Sequence, residues 1–139
     1  MRSLVVFCLF FICFYSSAQL SDRTEAQRFW DSNVQAIIKM DIAQIMKQTK
    51  FPLPCTGPSV KYTESQFKSK IGTYFTEEIR NTLENSTIDD IDAFAFGDDQ
   101  YEKYMLTFLS STNENEAFVF IFSRISGNWF LTGINHYTE

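Results

Sequence analysis

IDDIDAFAF from Ile88 to Phe96, YEKYMLTFLSS from Tyr101 to Ser111, EAFVFIFSRI from Glu116 to Ile125 and NWFLTGINHY from Asn128 to Tyr137 decide how this chain is read. Each is rich in aromatic and β-branched residues, the types that suit a pleated, half-buried surface. Tyr104, Leu106 and Phe108 alternate with Met105, Thr107 and Leu109, and Phe118, Phe120 and Phe122 alternate with Val119 and Ile121. That period of two predicts strands. Asn113-Glu114-Asn115 and Ser126-Gly127-Asn128 read as hairpin loops between antiparallel neighbours. Such a meander has a face to cover, and only the helical segments upstream are available to cover it.

Those upstream segments have helical spacing. Phe29, Trp30, Val34, Ile37 and Ile38 form an apolar stripe, with Asp31, Gln35 and Lys39 on the wet side. Ser21-Asp22 reads as the cap of this helix. Asp41 reads as the start of a second, short helix with Ile42, Ile45 and Met46 facing inward; a continuation of the first helix is the alternative. Pro52 and Pro54 stop what precedes them, because neither can donate a helical hydrogen bond. Thr63 and Gln66 have capping-box spacing, followed by a stripe of Phe67, Ile71, Phe75, Ile79 and Leu83. Gly72 is expected to divide that stripe into helices 64–70 and 74–83.

The chain begins Met-Arg, continues with the apolar run Leu4–Tyr15 and then has Ser16-Ser17-Ala18. A charged start, a short apolar core and small residues at the cleavage position predict a secretory signal peptide at 1–18. An uncleaved anchor is the alternative, and the run is short of the roughly 20 residues that span a bilayer. The remainder, 19–139, is expected to form one domain in a secreted or periplasmic protein, with no stable membrane anchor after cleavage. Of the 12 Lys and Arg residues one, Arg2, lies in the leader, against 17 Asp and Glu in the whole chain. An acidic surface with no basic cluster offers no attraction to nucleic acid.

Chemistry-bearing motifs are sparse. Cys8 and Cys13 lie in the leader, so Cys55 is left as a free thiol with no intramolecular partner. His136 is the sole histidine, and a metal site is not expected from these ligands. Asp89, Asp90, Asp92 and the group Asp98, Asp99, Glu102 lack the ligand spacing of a calcium loop. A catalytic alternative places a buried carboxylate, Asp92, within reach of His136; the structural reading is an acidic turn and a strand-end histidine. The 15 Phe, 6 Tyr and 2 Trp have two readings. They fill a core, or they surround an apolar ligand pocket rimmed by Trp30, Tyr74, Tyr104 and Trp129. No cofactor is implied. Asn85-Ser86-Thr87 is a formal N-glycosylation acceptor whose use depends on the host.

A first helix ending IIKMD, the break KFPLPC, a helical pair containing YFTEEI and a meander closing on GNWFLTGI together resemble the NTF2-like (cystatin-like, cone-shaped) superfamily. The resemblance extends over nearly all of 19–139, and more narrowly to its small secreted or periplasmic bacterial members. It implies an α+β fold with N-terminal helices on the concave side of a curved antiparallel sheet of four or more strands. Some members are isomerases or dehydratases with an Asp or His base in the cone; others bind ligands or proteins, or dimerise through the outer sheet face. No catalytic residue carries over, because the enzymes' Asp–His and Tyr–Asp patterns are not matched. The expectation is a non-catalytic binding domain for a small apolar ligand or a protein partner, a homodimer included; a cone enzyme is the alternative.

Overall fold

The computed structural model describes residues 23–56, 60–90, 92–94, 103–110, 113 and 115–138. The expected leader at 1–18, the Ser21-Asp22 cap and the acidic group Asp98, Asp99 and Glu102 lie outside them.

The first helix, α1, occupies 23–38 and is interrupted by one π turn at Trp30–Val34 before ending as the α-helical Gln35–Ile38. The wider turn changes which side chains face inward. Phe29, Trp30, Val34 and Ile37 are buried as their spacing predicts and Ile38 is half-buried against them, but Ala36 and the polar Asn33 are buried too. The helix closes when Met40 adopts a left-handed conformation (φ 51°). Met40 N–H then donates to Ile37 O at 3.0 Å and Asp41 N–H to Ala36 O at 2.9 Å, the paired bonds of a Schellman motif. Asp41 caps the next helix, α2 (Ile42–Lys47), by accepting from Gln44 N–H.

Past Pro52, β1 (Leu53–Pro54) and β2 (Lys61–Tyr62) form a short antiparallel ladder. Helix α3 (Glu64–Tyr74) opens with the full capping box, Thr63 and Gln66 each bonding the other's backbone N–H. It runs through Gly72 without a break, contrary to the division expected there. The chain turns instead at Phe75, because Thr76 takes an extended conformation and caps α4 (Glu77–Glu84) by accepting from Ile79 N–H. A cap supplies an alternative backbone partner, whereas one exposed helical glycine only weakens the helix.

Strands β3 (Asp92–Phe94), β4 (Lys103–Leu109), β5 (Glu116–Ile125) and β6 (Asn128–Thr138) form an antiparallel sheet in sequence order. Tyr104 pairs with Phe122, Leu106 with Phe120 and Phe108 with Phe118, so one face carries rows of aromatic and leucine side chains. Across β5 and β6 the register slips. Ile121 pairs with Gly133 but Phe122 pairs with Leu131, leaving Thr132 as the extra residue of a bulge. The Thr132 hydroxyl lies 2.8 Å from that of Ser123. The slip puts Trp129 and Leu131 on the same face as Ile134 and His136, although strict alternation would separate them.

That face meets α1, α3 and α4 to make the core. Phe29 packs on Tyr104, Phe122 and Trp129, with ring centroids 4.9, 4.9 and 5.5 Å away; Phe75 sits 4.9 Å from Phe120. The other edge of β6 is covered by 48–56, running parallel to it. Leu131 exchanges backbone bonds with Gln48 and Lys50, and Thr56 N–H donates to Ile134 O at 2.8 Å.

Candidate functional site

The aromatic residues singled out in the sequence do not gather into one rim. Trp30, Tyr74, Tyr104 and Trp129 are all buried. Tyr104 and Trp129 stack at 4.1 Å beneath Phe29 at one end of the helix-covered face. Tyr74 lies toward the other end, among Tyr62, Phe67 and Phe118. Between the ends, Asn33, Ile37, Ile45, Gln48, Thr49, Phe75, Phe122 and Leu131 enclose a void of about 10 Å³, room for one water and no organic ligand.

Two polar groups accompany Tyr74. Its hydroxyl donates to that of Tyr62 at 3.2 Å. The Cys55 thiol is free and buried, and desolvation raises its pKa to about 11, partly opposed by a hydrogen bond with Tyr74. Burial and the hydrogen bond with Tyr62 also raise the Tyr74 phenol. A thiol held in its neutral form is a poor nucleophile at neutral pH, so this trio is a packed, weakly polar junction under β1.

His136 sits nearby, at the C-terminal end of β6. Its ring lies flat on Phe118, 4.3 Å between centroids and 4° from parallel. Its Nε2 is 2.7 Å from Glu116 Oε1, and the two side chains are 30% and 27% exposed. Glu116 and His136 therefore form a half-buried acid–base pair on the helix-covered side. By backbone register Asp92 falls on the opposite face of the sheet. Asp92 is in register with Met105, Met105 with Ile121 and Ile121 with Gly133, one step of strand alternation out of phase with His136. Glu116 escaped notice because only the β5–β6 register, through a bulge, brings residues 20 apart to one place; its flanking position in a strand of alternating Phe was the available signal.

The opposite face of the sheet is the larger feature. Met105, Thr107 and Leu109 of β4, Ala117, Val119, Ile121, Ser123 and Ile125 of β5 and Phe130, Asn135 and Tyr137 of β6 point away from the helices. None is charged. Leu109 is 75% exposed and Tyr137 54%. A one-sided sheet ordinarily carries polar residues on its solvent face; here they are a minority. Among the described residues, no helix is long and apolar enough to cross a membrane and no group of three His, Cys, Asp or Glu gathers to hold a metal.

The sequence matches no protein-family model and no curated protein. Among solved structures the chain is similar to one named Rd1NTF2_05, in a form carrying five substitutions. That likeness has a TM-score of 0.45 and 6% identity, covering 83% of this chain and 98% of that one. The architecture stands on its own coordinates: an α+β domain with N-terminal helices on one face of an antiparallel sheet.

Proposed function

We propose that this chain is a secreted or periplasmic, non-catalytic interaction domain of the NTF2-like kind, and that its outward sheet face docks a second copy of itself. The observation that carries the reading is the largely apolar outward face of β4–β6, which has no acidic residue and carries Lys103 and Lys50 only at its edges, on a chain of net charge −5. Acidic copies approach most easily through a face that presents no acid, which favours self-pairing over docking to a basic partner. Strand β5, 10 residues long, and its two neighbours give a patch of about 33 by 14 Å, or roughly 450 Å². Two such faces remove about 900 Å² from water, the low end for specific association and suited to a weak, concentration-dependent dimer.

Sedimentation analysis of the purified mature chain from micromolar to submillimolar concentration tests this. The average mass should rise toward that of a dimer, and Val119→Lys should hold it at the monomer without loss of secondary structure. A wild-type chain that stays monomeric throughout and captures no partner sinks the reading. An apolar ligand would need the interior to open, since the aromatic residues proposed to rim a pocket are packed into the core.

The His136–Glu116 pair favours a second reading, a small isomerase or hydro-lyase in which Glu116 orients His136 as the base. It predicts turnover of small enolisable carbonyl compounds, lost in His136→Ala and reduced in Glu116→Gln. No turnover by the folded wild type across such a panel would remove it.

A further inference from the structure

We infer that the void between α1, α2 and β6 is a binding site for a single water molecule, held by Gln48. The Gln48 amide nitrogen donates to Ser32 Oγ, which turns the other amide atom, Oε1, toward the protein interior. That oxygen is buried and makes no hydrogen bond, and Gln48 is one of the residues lining the void. A buried carbonyl oxygen without a donor costs about 1–3 kcal/mol, and native proteins answer such groups with an ordered water.

Size and surroundings fit that occupant. The space of about 10 Å³ admits one water and excludes anything larger. Two other polar residues line it. Asn33 uses its amide N–H on Trp129 O at 3.0 Å, and Thr49 uses its hydroxyl proton on Ile45 O at 2.7 Å. Each keeps acceptor capacity on its side-chain oxygen. A water that donates one proton to Gln48 Oε1 and the other to Asn33 or Thr49 makes the two bonds a buried water needs. The remaining lining is Ile37, Ile45, Phe75, Phe122 and Leu131. The water thereby joins the π turn of α1 to the end of α2, beside the seam where Gln48 and Lys50 bond Leu131.

A crystal structure of the mature chain at about 1.5 Å or better, paired with water-to-protein cross-relaxation by NMR, tests the site. The expected result is one ordered water within hydrogen-bond distance of Gln48 Oε1 and a long-lived water signal at Thr49 or Asn33. Gln48→Met, which fills the space with an apolar chain of similar length, should abolish that signal while keeping the fold. An empty void, a reversed Gln48 amide, or an unchanged signal in folded Gln48→Met overturns the assignment.

Discussion

The side-chain amide of Asn33 donates to the backbone carbonyl of Trp129 at 3.0 Å, joining α1 to the start of β6. Asn33 is 3% exposed, so this bond is made where water cannot replace it. Asn33→Ala leaves a carbonyl unsatisfied and a small hole beside it. The expected loss is about 2–3 kcal/mol in urea denaturation. Asn33→Asp should cost at least as much, since it replaces the donor with a charge. A loss below about 0.5 kcal/mol for both would mean that Trp129 O finds another partner.

The β5–β6 hairpin turns on Ser126 and Gly127, with φ of 50° and 79°, the two positive values of a type I′ turn. Nothing lies within 4 Å of a Cβ placed on Gly127, so its substitution tests backbone conformation without a clash. Gly127→Ala should destabilise by about 1 kcal/mol, and Ser126→Asn should stabilise by a few tenths. Thermal unfolding of both variants checks this; equal effects in the same direction would contradict the turn assignment.

Helix α3 passes through Gly72, and a Cβ there would meet only Met40 Cε, at an ordinary 3.9 Å. Gly72→Ala is expected to raise stability by about 0.5–1 kcal/mol. Thr76→Ala, which removes the cap of α4, is expected to lower it by about 1 kcal/mol. The opposite signs distinguish a continuous α3 from one hinged at the glycine, where alanine would also destabilise.

Burial lifts the Cys55 thiol from 9.0 to about 11. Between those values the folded chain retains a proton that the unfolded chain releases, so stability is full below pH 9 and falls as pH rises toward 11. The raised Tyr74 phenol acts in the same direction from about pH 10 upward. Urea midpoints measured from pH 8 to 10.5 should decline, and more gently in Cys55→Val. Native Cys55 should also resist alkylation at pH 7.5 and react once unfolded; rapid native labelling would place the thiol at the surface.

Much of the fold was legible because local chemistry and tertiary demand agree. Asp41 and Thr63 cap where their side chains suggest, and the alternation Tyr104, Leu106, Phe108 marks the buried face. The missing pieces are changes of phase. The π turn at Trp30–Val34 rotates Asn33 inward, and the extra Thr132 shifts β6 by one residue. Neither leaves a mark on a periodicity count, because each is selected by packing against a distant element. The candidate site depends on the second of these. His136 was visible as the sole histidine, but its partner is fixed by the pairing of Phe118 with His136 and of Glu116 with Thr138. The aromatic supply was visible too; whether it surrounds a space or fills one depends on centroid distances that sequence does not encode.

The segment 48–56 has a consequence for how copies of this chain meet. Bridged in parallel to the outer side of β6, Thr49 to Leu131 and Cys55 to Ile134, it uses the backbone donors and acceptors at Leu131 and Ile134 that a foreign strand would seek. Strand addition is therefore blocked at Leu131 and Ile134 in the folded chain. Contact through side chains on the broad face stays open, and that is the route the proposed dimer uses.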